Sequence, residues 1–186
     1  LICTKACLRD FVIRSAKFVK PGGREKEVAD LLLPFDGRLL AVQVKSRDTG
    51  KGTREVELNR LATKAKEGGK QIDTTARAIR AGRLARLQNR YEVDVSPRDG
   101  SPWELIGIVV VDTTMAPVPD LATVPDVPGF GIDDNKTPIH YFMRQEFEAV
   151  LQELDTTPDI LRYLDFRQRV HQAGISPATI ELDLLA

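Results

Sequence analysis

Apolar residues occur in short runs whose period changes along the chain. Residues 2–10 (ICTKACLRD) predict the end of a helix, and 11–19 (FVIRSAKFV), with Phe11, Ile13 and Phe18, predict a first strand. Pro21-Gly22-Gly23 marks a turn. Residues 28–35 (VADLLLPF) and 38–45 (RLLAVQVK) flank Asp36-Gly37, a dipeptide whose preference for left-handed backbone favours a two-residue hairpin. Both strands are apolar on both faces, so the hairpin belongs inside a sheet covered on each side. A polar loop, 46–53 (SRDTGKGT), leads into a helical region over 54–81 with a weak point at Gly68-Gly69. Residues 84–95 fit a strand-turn-strand or a helix end. Residues 104–112 (ELIGIVVVD), rich in β-branched side chains, predict a central strand.

Residues 113–138 contain Pro117, Pro119, Pro125, Pro128 and Pro138, which predicts a long surface loop without regular structure. A short strand at 139–143 (IHYFM) and helices at 145–154 and 158–173 follow, the second opened by Thr157-Pro158-Asp159. The helical stripes Phe147, Val150, Leu151, Leu154 and Ile160, Leu161, Leu164, Val170 are expected to pack on the sheet. The whole reads as one mixed α/β domain over 1–186: a core of about 1–112, the proline-rich loop, then a strand and C-terminal helices.

Composition narrows the classes. The chain has 186 residues, 42% hydrophobic and 29% charged, which suits a globular domain and excludes disorder. No apolar stretch approaches the roughly 20 residues of a spanning helix, so no membrane partner is expected. Lys5, Arg9 and Asp10 interrupt the N-terminus before a leader can build. Because the chain opens at Leu1 inside a predicted helix, it reads as a piece of something longer. Cys3 and Cys7, one helical turn apart, are poorly placed for a disulfide, and a reduced, cytoplasmic protein is expected. Net charge is zero, but residues 1–90 hold 21 basic and 10 acidic side chains (+11), and residues 91–186 hold 6 and 17 (−11). A polyanion partner for the first half is one reading of this asymmetry; mutual attraction of the halves is the other.

The hairpin carries candidate chemistry. With the turn centred on Asp36-Gly37, Asp30 lies opposite Gln43, and Lys45 shares that face two residues on. A carboxylate, an amide and an ammonium in an apolar hairpin are costly unless paired or bound to something. One solution is a buried Asp30–Lys45 salt bridge. The other is a metal site: carboxylate and amide oxygens suit a hard divalent cation such as Mg²⁺, with Lys45 beside it to stabilise charge on a phosphoryl group or to orient water. Glu27, three residues before Asp30, is a candidate second ligand, and Glu25 a weaker one.

The segment KEVADLLLPFDGRLLAVQVKSR, residues 26–47, with Glu27-x-x-Asp30 and then Gln43-Val-Lys45, resembles the PD-(D/E)XK nuclease superfamily. The resemblance implies a restriction-endonuclease-like αβββαβ core, a mixed central sheet flanked by helices, spanning about residues 1–112. It maps the family's aspartate to Asp30 and its lysine to Lys45. Gln43 stands where the family usually has Glu or Asp, and Mrr-like restriction enzymes are similar in using a Q-x-K form. Ala29 stands in place of the family's proline. The implied activity is metal-dependent hydrolysis of phosphodiester bonds in nucleic acid, DNA rather than RNA. Asp30, Glu27 and Gln43 would hold Mg²⁺ or Mn²⁺, with Lys45 assisting.

The next segment fits a polyanion. Between 54 and 90 ten basic residues (Arg54, Arg60, Lys64, Lys66, Lys70, Arg77, Arg80, Arg83, Arg86, Arg90) stand against four acidic ones. Arg60 and Lys64 lie one turn apart, and with Lys51 of the preceding loop they are candidate phosphate contacts. Gln71 matches a glutamine that related nucleases carry near the site on the corresponding helix. Trp103, Tyr91 and Tyr141 are too scattered for base stacking. No P-loop, GxGxxG or GxSxG is present, His140 and His171 are far apart in sequence, and Asp133-Asp134 reads as a solvated turn. Two rivals stand beside the nuclease. One is a nuclease-like fold that has lost activity and only binds nucleic acid or protein. The other is an interaction module whose acidic C-terminal half docks a basic partner or a second copy.

Overall fold

A computed structural model describes residues 12–19, 25–47, 52–83, 87–89, 91–95, 101–127, 129–133, 136–154 and 156–176. The predicted helix at 2–10, the turn at 21–23, Cys3, Cys7, Lys51 and Asp134 lie outside the described residues. The elements are β1 Ile13–Val19, β2 Glu25–Phe35, β3 Arg38–Arg47, α1 Arg54–Arg80, β4 Glu104–Thr113, β5 Phe130–Ile132, β6 Pro138–Met143, α2 Arg144–Glu153 and α3 Thr157–Gln172, with a 3₁₀ turn at Leu121–Thr123. Among the described residues six strands form one mixed sheet in the order β1-β2-β3-β4-β6-β5. β1, β2 and β3 are an antiparallel meander, β4 lies parallel to β3, β6 parallel to β4, and β5 closes the edge antiparallel to β6.

Local chemistry sets this layout. Asp36 and Gly37 take φ of +45° and +76°. Two left-handed residues give the turn whose twist matches the strands it joins. Its two-residue loop fixes the register Phe35↔Arg38 through Leu31↔Val42. Parallel β4 cannot follow β3 through a tight turn, and α1 supplies the crossover. Thr53 caps α1 by accepting from Val56 N. Thr156 caps α3 in the same way, accepting from Asp159 N.

Strand alternation then sorts the core into two layers. Leu32, Leu39, Ala41, Val109 and Val111 pack with Leu61, Ala65 and Ile72 of α1. Leu33, Leu40, Val42, Ile106, Ile108 and Val110 pack with Phe147 and Val150 of α2 and Ile160 and Leu164 of α3. The hairpin is therefore interior and covered on both sides, as its two-faced apolar pattern predicts. No helix among the described residues is long and apolar enough to cross a membrane.

Three expectations need correction or completion. The pair Gly68-Gly69 does not weaken α1, which runs unbroken from Arg54 to Arg80. Both glycines are buried, and a Cβ on Gly68 would fall 2.6 Å from Val109 Cγ1. Absence of a side chain here lets helix and sheet approach closely, which outweighs glycine's poor helix propensity. The proline-rich segment is not a surface loop without regular structure. It holds the 3₁₀ turn and β5, and it buries every third residue from Leu121 through Val124 and Val127 to Phe130. Glu146 ties it to α2 by accepting from Leu121 N at 2.9 Å and Met143 N at 2.7 Å. Of the segment 84–95, residues 84–86 and 90 lie outside the described residues, and Gln88 and Asp94 form one antiparallel bridge, as the strand-turn-strand alternative expects.

The charge asymmetry is partly consumed inside the fold: Arg38 pairs with Glu104 and Asp165, and Lys66 with Asp126. His140 and His171, far apart in sequence, both pack on the Phe130 ring, at centroid distances of 4.9 and 5.0 Å. His140 is 1% exposed, and its Nδ1 lies 3.4 Å from Arg167, which is itself fully buried. Arg167 donates to the carbonyls of Gly129 and Tyr141 and lies 4.0 Å over the Phe142 ring.

Burial, and then the Arg167 charge, hold His140 well below the usual histidine range. The unfolded chain therefore binds a proton near pH 6.5 that the folded chain refuses. Stability should fall as pH drops below that point, by up to about 1.4 kcal/mol per pH unit. Glu146, pushed up by burial, works in the opposite sense above its ordinary range. Comparing wild type with His140→Gln at pH 7.5 and 5.5 by urea unfolding cancels that second effect. Wild type should lose more stability on acidification than the variant, and equal losses would reject the assignment.

Candidate active site

The polar face of the hairpin sits where the ladder between β2 and β3 opens. The last paired residues are Leu31 and Val42. One residue on, the Asp30 carboxylate takes the place of a backbone acceptor, with Oδ2 accepting from Val44 N at 2.6 Å. On its other edge β2 steps in register from Ala16↔Ala29 to Lys17↔Glu27, which leaves Val28 with no opposite residue on β1. Such a bulge re-aims backbone groups and side chains. The Val28 carbonyl here accepts two side-chain hydrogen bonds, from Gln43 Nε2 at 3.2 Å and from Thr75 Oγ1 at 2.5 Å.

With its nitrogen committed to Val28, the Gln43 amide turns Oε1 the other way, where Lys45 Nζ donates to it at 3.4 Å. Gln43 is 4% exposed and Lys45 half-buried, its stem passing Gly68, so that a Cβ there would sit 3.5 Å from Lys45 Cγ. Among the described residues no ion pair joins Asp30 to Lys45; each has the partner just named. The salt-bridge alternative is therefore not what the hairpin forms.

These groups line an open cleft of about 90 Å³ together with Glu27 at its exposed rim and Gln71, Thr74 and Thr75 of α1. That space admits a hydrated cation or a phosphate oxygen. The fold thus gathers Glu27, Asp30, Gln43, Lys45 and Gln71 into one site. Arg60 and Lys64 do not line it. They lie eleven and seven residues before Gln71, within about 20° of it around the helix, so they extend the same stripe of α1 past the cleft. Each is held by a neighbour, Arg60 by Glu57 at 2.6 Å and Lys64 by Glu67 at 2.7 Å. The side chain of Glu25 and all of Lys51 are outside the described residues. Trp103 is buried in the core, away from any stacking role.

Sequence reasoning missed Thr75, Thr74 and the bulge at Val28. Thr75 was findable: it lies one turn after Gln71, on the same face of the helix.

The donor set fits Mg²⁺ or Mn²⁺. Among the described residues no three His, Cys, Asp or Glu side chains converge. Magnesium does not require that: it takes one or two carboxylates and completes its shell with water and phosphate oxygens. Asp30, Gln43 and Glu27, which line the cleft, are the residues whose oxygens would hold the ion.

Gln43→Glu gives a prediction. The variant places a carboxylate oxygen against the Val28 carbonyl oxygen at a position that is 4% exposed. In metal-free buffer at neutral pH it should lose about 1–3 kcal/mol of stability. Added Mn²⁺ should raise its melting temperature more than it raises that of wild type. A variant as stable as wild type without metal would reject this geometry. A scan against protein-family models, a search of curated proteins and a search of solved structures each return no match for the chain.

Proposed function

We propose that the chain is a metal-dependent nuclease that hydrolyses phosphodiester bonds in nucleic acid, DNA rather than RNA, built on the restriction-endonuclease-like core of the PD-(D/E)XK superfamily. The observation that carries this reading is the convergence of Glu27, Asp30, Gln43 and Lys45 on one cleft under α1. The order β1, β2, β3, α1, β4 supports it, because it is the βββαβ part of the core that the resemblance implies.

Asp30, Gln43 and Glu27 would hold Mg²⁺ or Mn²⁺. When bound, the cation supplies Lewis-acid charge to a phosphoryl group and favours ionisation of water. Lys45 then has a definite task. Its ammonium donates toward the phosphate oxygens, where negative charge builds as water attacks phosphorus and the P–O bond breaks. Gln43 steadies Lys45 through Oε1, and Gln71 faces the same space from the opposite wall. One observation favours the second reading, an inactive fold that only binds: the middle position carries an amide, whose oxygen Lys45 already occupies.

Incubation with supercoiled DNA, single-stranded DNA and RNA, each with Mg²⁺, Mn²⁺ or chelator, separates the two. Cleavage that requires the metal is expected. Intact substrates under every condition would remove the enzymatic reading and leave the binding module.

The stripe of α1 beyond the cleft predicts how substrate is held. Replacing Arg60 and Lys64 together by Gln should weaken binding to all sequences alike. The log–log salt slope should flatten by less than about two, since Glu57 and Glu67 already neutralise part of each charge. Fluorescence anisotropy at stepped KCl concentrations measures this, and an unchanged affinity would place both residues off the substrate path.

A further inference from the structure

We propose that Thr75 is a positioning residue that, acting through the bulged Val28 peptide, makes position 43 selective for an amide. The inference deepens the proposed metal site and rests on it only where metal affinity is read. Thr75 is 1% exposed, in the second half of α1, and its hydroxyl lies between two carbonyls, Val28 O at 2.5 Å and Gln71 O at 3.0 Å. Thr75 and Gln43, on different elements, thus donate to the same oxygen. A carbonyl oxygen has two lone pairs, and these two donors fill them.

Three consequences follow from that sharing. The Val28 carbonyl is pinned by α1 rather than left to move with the strand edge. Position 43 must offer a donor to it, which an amide does and an ionised carboxylate does not. Once Nε2 is fixed on Val28, Oε1 has one direction left, toward Lys45 and the cleft. Gln43 is then more than a neutral substitute for an acidic ligand. It is the residue that this backbone demands, and Thr75 maintains the demand. The single hydroxyl proton goes to Val28 at the shorter distance, and because Thr75 lies one turn after Gln71 on α1, that bond also places the Gln71 turn beside the bulge.

The test needs no catalysis. The side-chain amide protons of Gln43, assigned by their loss in Gln43→Ala, should exchange slowly with water in wild type. Thr75→Val keeps the shape and removes the hydroxyl. One Val28 lone pair is then buried without a donor, and the peptide should turn toward the open cleft, taking the amide with it. The Gln43 protons should lose their protection, and Mn²⁺ affinity should fall about ten- to a hundredfold, the usual cost of removing a group that supports a metal ligand. Thr75→Ser, which restores the hydroxyl, should recover both. Wild-type Gln43 exchange in Thr75→Val would overturn the proposal, as would a folded Thr75→Ser that recovers neither property.

If Thr75→Val does not fold, Thr75→Ala is read in its place by the same exchange measurement, and Gln43 protons as protected as in wild type would overturn the proposal. Should the exchange results come out as expected while no Mn²⁺ binds to wild type, the positioning role stands and the nuclease reading fails.

Discussion

Asp30→Asn is expected to reduce metal-dependent cleavage by at least about a hundredfold while leaving the melting temperature close to that of wild type. Substitutions that merely support a metal ligand cost about ten- to a hundredfold, and a direct ligand should cost no less. The asparagine oxygen still accepts from Val44 N, so the hairpin keeps its hydrogen bond. Asp30→Ala removes the acceptor as well and should cost a further 1–2 kcal/mol or so of stability. Measuring plasmid cleavage and thermal unfolding on both variants separates the two roles of one carboxylate. Cleavage at the wild-type rate by Asp30→Asn would remove Asp30 from the chemistry.

The largest structural effect is expected at Gly68. Alanine is favoured over glycine in a helix interior by about 1 kcal/mol, so propensity alone predicts that Gly68→Ala stabilises α1. Packing predicts the reverse. The new Cβ would lie 2.6 Å from Val109 Cγ1 and 3.2 Å from its Cγ2. Val109 is buried on the central strand, and its branched side chain is stiff at χ1, so it has nowhere to turn. Overpacking of this kind costs about 1–3 kcal/mol, and the net change should be destabilising. Helix α1 would lift from β3 and β4, carrying Gln71 and Thr75 away from the cleft, so activity should fall with stability. Val109→Ala opens the space, and in the Gly68→Ala background it should restore much of the loss. A double-mutant cycle by urea unfolding reads that coupling. Purely additive effects would mean that the contact does not govern the approach of helix to sheet.

What was legible in the sequence depended on whether the governing interaction was local. A two-residue turn dictates its own register, so Asp36-Gly37 sufficed to fix the pairs as far as Leu31↔Val42, and Asp30 and Gln43, the next residue on each strand, line one cleft. The site was visible for the same reason, as a polar interruption of two apolar strands. The hydrogen bonds within it were not. Position along the strand suggests a pairing of Asp30 with Lys45, whereas Asp30 turns to Val44 N and Lys45 to Gln43. Thr75 was hidden because its partner is a backbone carbonyl 47 residues away, exposed by a bulge that leaves consecutive residues Val28 and Ala29 both buried in the same layer.

Gly68-Gly69 and the prolines misled in a common way. Local propensity reads both as breaks. Their neighbours in space, Val109 and Tyr141 for the glycines, turn small size into an advantage. The proline-rich segment is irregular yet packed, with a three-residue burial rhythm that neither helix nor strand periodicity detects. The charge count overstated the basic surface, since Arg38 and Lys66 are engaged by acids of the second half.

Isothermal titration of metal-free protein with Mn²⁺, run on wild type and Asp30→Asn, probes the cleft most directly. Wild type is expected to bind the ion, and the variant to bind it at least about tenfold more weakly. Absence of binding to wild type, or equal binding by the two proteins, would contradict a metal centre built on Asp30.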